Sequence, residues 1–214
     1  GTCRARPCAA GAAGRGSNHP SGPTVSPPAV ISVFLGQELT GVIEGIITGT
    51  PAPHTGDSVM EIGVSSLPPL PIDTSDRNRT SPFAFTGNKF EFRAVGSSQS
   101  VAPANIALNA AMTCALQDIA DELERATAAG QSLNATLQDL LPRLFRQHSP
   151  VLFNGNGYAP AWKEEAARRG LPDYADTVTA VEHYSDAGVL QVFLRAGVLG
   201  EREMLARQEI LFEH

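Results

Sequence analysis

The sequence DRNRTSPFAFTGNKFEFR, residues 76–93, gathers charged side chains around a short apolar turn that contains one glycine. Four of these side chains are cationic: Arg77, Arg79, Lys89 and Arg93. The end of the stretch alternates between apolar and charged residues, which predicts a β-strand over residues 90–95. The segments on either side of this strand decide what it packs against.

Because side chains alternate along a strand, Glu91 and Arg93 are predicted to share one face and the phenylalanines the other. The simplest interpretation is an exposed, charged face on a half-buried strand. A binding site is the alternative, and it gains support because Arg79 and Lys89 lie in the same connected segment. The pattern by itself leaves both interpretations open.

Upstream, Ala29–Leu35 (AVISVFL) is a continuous apolar run rich in branched residues, which predicts a strand buried on both faces. After Gly36, apolar residues recur at helical spacing and predict a short helix that ends near Gly49. A strand is also predicted over residues 59–64. Residues 67–71 (LPPLP) contain too many prolines for a sheet interior and are interpreted as an extended connector.

Residues 1–28 differ from the rest, since fifteen of these 28 residues are Gly, Ala or Pro and none is aromatic. Such a stretch buries too little apolar surface to offset its ordering entropy, so we expect it to be flexible. Its arginines and its lack of acidic residues are faintly typical of a transit peptide.

The second half of the chain is predicted to be helical. Residues 105–128 carry a broad apolar face, which predicts a core helix with Met112 and Cys114 as packing residues. This face comprises Ile106, Leu108, Met112, Ala115, Leu116, Ile119, Ala120 and Leu123. Residues 133–148 repeat the helical pattern, with a break or kink expected at Pro142.

Residues 154–157 (NGNG) are predicted to form a loop. They make a weak phosphate-binding candidate, because the Lys and Ser/Thr of a P-loop are missing. Pro160 suits the first turn of a helix that continues to Arg169. Two more helices are predicted near residues 185–196 and 200–212. Strands followed by helices indicate an α+β fold.

Composition excludes several classes of function. A net charge of −6 argues against a nucleic-acid-binding protein, because phosphate backbones attract basic surfaces. No apolar run approaches the roughly 20 residues of a membrane span. Three cysteines without metal-site spacing are typical of a reducing compartment. We expect a cytoplasmic protein, and the sequence leaves an organelle open.

Three segments carry a family resemblance: PPAVISVFLG (residues 27–36), NRTSPFAFTGNKFEFR continuing to VGSSQS (residues 78–100), and FNGNGYAPAW (residues 153–162). Together they closely resemble type III glutamine synthetases, and the resemblance runs from about Pro27 to His214. Residues 1–28 are then predicted to be a leader that is flexible by composition or aberrant by comparison with the family. The resemblance implies part of the catalytic domain at 29–130, with part of a curved sheet, and a helical segment at 131–214.

The resemblance also implies chemistry. Glutamine synthetases join ammonia to glutamate with ATP through an acyl phosphate, and they use Mg²⁺ or Mn²⁺. Glu91 matches the family's metal-ligating glutamate, and Arg93 resembles the arginine that contacts substrate and phosphates. Arg79 matches the ATP-binding arginine of the family's NRS/NRT motif. Lys89 lies where other members use an arginine, although the loop length differs.

The resemblance further implies that the family's other metal ligands, its ammonium-binding acid and its nucleotide-contacting sheet lie upstream of this chain. Family members assemble as homo-oligomers of stacked rings. We therefore expect the isolated chain to be inactive. A non-catalytic relative that binds nucleotide or synthetase subunits is the alternative, because Pro20 and Val25 replace a functional arginine and glutamate of the family.

Overall fold

This computed structural model describes residues 30–50, 59–60, 70–71, 81–87, 89–93, 100–174 and 177–213. The predictions for the leader at 1–28 and for the arginine at 79 lie outside these ranges. The described residues form a mixed α+β fold, as the order of the sequence patterns predicted. The division into three segments stays a prediction.

A three-stranded sheet lies at the centre of the first half. Its strands are β1 (Val33–Phe34), β4 (Phe83–Phe85) and β5 (Phe90–Phe92), in the order β1-β4-β5. β1 runs parallel to β4, and β4 pairs antiparallel with β5. On the outer side of β1, Leu152 adds a parallel bridge to Val33. The predicted apolar strand is confirmed over a shorter range, and Val30, Phe34 and Leu35 around it are buried.

Helix α1 (Gly36–Thr48) follows β1 almost directly. Gly36 has a φ of 75°, a left-handed conformation that glycine adopts without strain and that turns the strand sharply into the helix. Gly49, also left-handed, ends the helix where the sequence predicted. Further along, β2 (Val59–Met60) and β3 (Leu70–Pro71) form a two-stranded antiparallel ribbon. Both strands of such a ribbon are edges, so a proline is tolerated there.

The second half is helical, as predicted. Its α-helices are α2 (Ala102–Ala128), α3 (Leu133–His148), α4 (Pro160–Arg168), α5 (Thr177–Glu182), α6 (Ala187–Arg195) and α7 (Glu201–Glu213). Short 3-10 turns follow α3 at Ser149–Val151 and α5 at His183–Ser185. Helix α5 was not predicted, and α3 runs through Pro142 without the break that the proline suggested.

The predicted apolar face of α2 is partly wrong. Met112 and Leu116 are 55% and 57% exposed, whereas the buried positions are Ala107, Ala110 and Cys114. Helix α6 packs on this narrower stripe of small residues, because small side chains let two helices approach closely. The Cys114 thiol donates a hydrogen bond to the Val192 carbonyl at 3.3 Å, so this cysteine is a packing residue, as predicted.

Two buried clusters hold the chain together. The first joins α2, α6 and α7 through Ala107, Ala110, Cys114, Val189, Val192, Phe193 and Met204. The second joins Val30, just before β1, to Trp162 and Ala166 of α4 and to Leu171. The Trp162 ring stacks on Phe153 with 3.6 Å between centroids. The second cluster thus ties the sheet to the helical half. No helix among the described residues has the length and apolar character needed to cross a membrane.

Candidate functional site

The hairpin formed by β4 and β5 carries three of the four predicted site residues. Its turn is closed by a hydrogen bond from the Thr86 amide to the Lys89 carbonyl at 2.9 Å. At the open end, the Arg93 amide donates to the Pro82 carbonyl at 2.7 Å. The backbone of Arg93 is therefore fixed beside β4, although strand β5 itself ends at Phe92.

The two faces of the hairpin differ as the alternation predicted. Phe83, Phe85, Phe90 and Phe92 pack against one another on one face, with ring centroids 5.2 to 6.2 Å apart. On the other face, Glu91 lies directly opposite Ala84, which is fully buried. The aromatic rings hold the two strands in register, and this register fixes the side on which Glu91 lies.

The Glu91 carboxylate contacts two cationic side chains. Its Oε1 lies 3.1 Å from Lys89 Nζ, and its Oε2 accepts a hydrogen bond from Arg93 Nη2 at 3.1 Å. The Lys89 side chain is 64% exposed, whereas that of Arg93 is only 15% exposed. The hydrogen bonds from Lys89 first and Arg93 second lower the pKa of Glu91 below its ordinary value of 4.5. The lowered pKa favours the ionised carboxylate, which accepts the hydrogen bond from Arg93 Nη2.

The described residues do not by themselves fit a metal site. Across them, no cluster of three His, Cys, Asp or Glu side chains is placed to bind an ion. Glu91 is a hard oxygen donor of the kind Mg²⁺ takes, but its two oxygens contact cations. A metal here would need further ligands from outside the described residues and a change in these ion pairs.

The NGNG loop has a structural role that the sequence did not reveal. Asn154 Oδ1 accepts hydrogen bonds from the amides of Leu35 and Gly36 at 3.0 and 3.3 Å, and its Nδ2 donates to Thr40 Oγ1 at 2.8 Å. The side chain thus caps α1 from a position 119 residues away. Gly155 is required beside it, because a Cβ there would lie 2.8 Å from the Phe153 ring.

Buried hydroxyl groups were also missed by the sequence analysis. Ser32 lies within the apolar run before β1 and Ser81 just before β4, and their Oγ atoms are 2.8 Å apart. Ser81 Oγ also donates to the Phe153 carbonyl at 3.1 Å. A serine inside an otherwise apolar strand was the one available signal, since a buried hydroxyl needs a partner.

Comparison with known proteins supports the family resemblance. Residues 136–214 match the family described as the glutamine synthetase C-terminal domain. A type-3 glutamine synthetase of Dictyostelium discoideum is 44% identical over 92% of this chain, and a glutamine synthetase of Bacteroides fragilis is 36% identical over 92%. One from Butyrivibrio fibrisolvens is 35% identical over 94%.

These matches cover nearly all of this chain but only part of each relative. The chain spans 27% of the length of the Dictyostelium protein and 28% of the two bacterial ones. The predicted resemblance to type III glutamine synthetases is confirmed: over nearly all of its length, this chain is similar to part of such an enzyme.

Proposed function

We propose that this chain supplies part of the ATP and glutamate site of a type III glutamine synthetase, an ATP-dependent glutamate–ammonia ligase. The observation that carries the proposal is the Glu91–Arg93 pair. A largely buried guanidinium is held on one strand face by an ionised carboxylate, in a chain 44% identical to a synthetase of this type. Ring-shaped homo-oligomers and a cytoplasmic location belong to the same proposal.

The physical problem of the reaction explains why such a group is useful. Transfer of a phosphoryl group from ATP to a carboxylate brings together two anions that repel each other. A fixed guanidinium attracts both anions and costs no reorganisation when the reaction occurs. In this proposal, Arg93 binds the transferring phosphoryl group and the substrate carboxylate, and Glu91 orients Arg93. Lys89 and Arg79 add positive charge on the ATP side.

Mg²⁺ or Mn²⁺ would neutralise charge on the ATP phosphates when bound. Within the proposal, Glu91 would contribute Oε1 as one ligand in place of its contact with Lys89, and Oε2 would keep its contact with Arg93. The other ligands would come from parts of the synthetase that the described residues do not include. One carboxylate and a few cations are too little for the reaction. The 214-residue chain alone is therefore expected to form no glutamine from glutamate, ammonia and ATP.

A chimaera tests the proposal directly. Residues 29–214 would replace the matching segment of the Dictyostelium synthetase, and ATP-dependent glutamine formation would be measured. We expect an active chimaera in which Arg93→Ala lowers the rate about 100- to 1,000-fold, as for loss of one fixed donor to a transition-state anion. Arg168→Ala on the exposed side of α4 is the matched control and should retain the rate. Near-normal turnover by Arg93→Ala would refute the role of Arg93.

A second candidate function is a non-catalytic synthetase relative. The specific observation in its favour is that Pro20 and Val25 stand where the resemblance places an arginine and a glutamate. A chimaera that also contains residues 1–28 tests it. Loss of activity on adding this segment, with recovery in the double variant Pro20→Arg, Val25→Glu, would favour the non-catalytic function.

A further inference from the structure

We infer that Ser81 is a positioning residue, which fixes Arg93 by tying the start of β4 to Phe153, in the segment between the 3-10 turn at Ser149–Val151 and α4. Ser81 stands two residues after Arg79 in the sequence and one before Pro82, whose carbonyl accepts the Arg93 amide. Its hydroxyl contacts two other parts of the chain. The side chain therefore lies where three separate stretches of backbone meet.

The direction of the hydrogen bonds around Ser81 follows from counting protons. A serine hydroxyl has one proton to donate. Because Ser81 Oγ donates to the Phe153 carbonyl, Ser32 Oγ must be the donor across the 2.8 Å contact with Ser81 Oγ. The three groups form a relay from Ser32 to Ser81 to Phe153. Within this relay, Ser81 alone both donates and accepts.

Both serines of this relay are buried. Ser32 is 0% and Ser81 2% exposed, so bulk water does not reach these two hydroxyl groups. Removing the Ser81 hydroxyl leaves both the Ser32 hydroxyl and the Phe153 carbonyl without this partner. Removing the Ser32 hydroxyl leaves the bond from Ser81 to Phe153 intact. The two serines are chemically alike, yet of the two only the Ser81 hydroxyl links β4 to Phe153.

A few backbone hydrogen bonds connect the relay to Arg93. The Phe153 amide donates to the Val33 carbonyl at 2.9 Å, so the Phe153 segment is itself bound to β1. The Phe83 amide donates to the Ser32 carbonyl at 3.3 Å, and the Arg93 amide donates to Pro82. Residues 81–83 thus form hydrogen bonds with the β1 segment and Phe153 on one side and with the Arg93 amide on the other. If the Ser81 contact is lost, the Pro82 carbonyl moves more freely and Arg93 with it.

Hydrogen exchange measured by NMR on the 214-residue chain tests this inference. In Ser81→Ala, we expect exchange of the Arg93 amide to accelerate at least about tenfold more than exchange of the Ala196 amide. Ala196 donates to the Val192 carbonyl in the helical core, so it reports overall stability. The Arg93 Nε–H resonance should also move toward that of a free arginine. In Ser32→Ala, the ratio of the Arg93 exchange rate to the Ala196 exchange rate should stay within about threefold of its value in the unmodified chain. The Arg93 Nε–H resonance should not move.

Equal acceleration of both amides in Ser81→Ala would show a purely stabilising role and overturn the inference. So would an unchanged Arg93 resonance. If Ser81→Ala does not fold, Ser81→Cys takes its place, because a thiol is a weaker donor to the same carbonyl. Ser81→Cys should then show a smaller shift in the same direction, and none would also overturn the inference. These readouts do not depend on catalysis, so they are separate from the test of the proposed function. Only the importance of Arg93 rests on the proposed function.

Discussion

Around β1 the buried side chains include the hydroxyls of Ser32 and Ser81, whereas around α2 they are the apolar groups of residues such as Phe193 and Met204, together with the Cys114 thiol. The sheet region is connected by directional hydrogen bonds to a few specific atoms. The core of the helical region is connected mainly by contact between apolar surfaces, with the Cys114–Val192 hydrogen bond beside them. Directional bonds define the placement of a group closely, and apolar contact contributes more of the free energy.

This difference suits the proposed site. An arginine that must meet a phosphoryl group within a fraction of an ångström needs a rigid frame, which directional bonds provide. The helical core needs to resist unfolding, which buried apolar area provides. Three measurements, from the largest expected effect to the smallest, test whether the two regions differ in this way.

The largest effect is expected in the helical core. Met204→Ala should lower the free energy of unfolding by about 2–5 kcal/mol, because it leaves a cavity between α2, α6 and α7. Met112→Ala is the matched control, since this methionine is 55% exposed and should change stability by less than about 0.5 kcal/mol. Urea denaturation measures both. Similar losses for the two variants would contradict the burial of Met204 on α7 and the exposure of Met112 on α2.

A smaller effect is expected where α1 is capped from the NGNG loop. Asn154→Ala should lower the free energy of unfolding by about 1 kcal/mol, the usual value for a lost cap. Asn156→Ala is the control, because Asn156 Oδ1 accepts from the Tyr158 amide in its own loop and should cost about half as much or less. Equal losses of unfolding free energy in the two variants, again from urea denaturation, would show that the Asn154 contact with α1 adds no stability.

The smallest effect concerns the ionisation of Glu91. Its pKa is lower in the folded chain than in the unfolded chain, so the stabilisation is present above pH 4.5 and is lost as the pH falls through the lowered value. Lys89→Met should raise the Glu91 pKa more than Arg93→Met does, because the Lys89 bond is the larger cause. NMR titration of the Glu91 carboxyl carbon measures both, with Lys163→Met as the distant control. A midpoint unmoved by Lys89→Met would contradict the ion pair.

Local patterns predicted most elements correctly. Helix α1 with its terminal glycine, α3, α4 with its first-turn proline, and the two last helices follow from periodicity and from turn residues, which act over a few positions. Helix α2 itself was predicted, but part of its predicted apolar face was wrong, because Met112 and Leu116 lie on that face by periodicity yet are exposed. Which part of a broad apolar face becomes buried depends on the neighbouring helix, and that information is not local.

The same distinction applies to the candidate site. Alternation placed Glu91 and Arg93 on one face, and their 3.1 Å contact agrees with that prediction. The assignment of Arg79, Lys89, Glu91 and Arg93 to catalysis stays a prediction. Nothing in the spacing of Ser32, Ser81 and Phe153 could have indicated their hydrogen bonds, because the three residues lie far apart along the chain.

The amino-acid sequence by itself determined the resemblance to type III glutamine synthetases, the α+β order and the alternation that pairs Glu91 with Arg93. Each of these depends on residue identity or on spacing over a few positions. Only the tertiary structure decided which face of α2 is buried, which asparagine caps α1 and which serine links β4 to Phe153. Those outcomes depend on contacts between distant parts of the chain, which are apolar packing for α2 and hydrogen bonds for the asparagine and the serine. Such contacts exist only once the chain has folded.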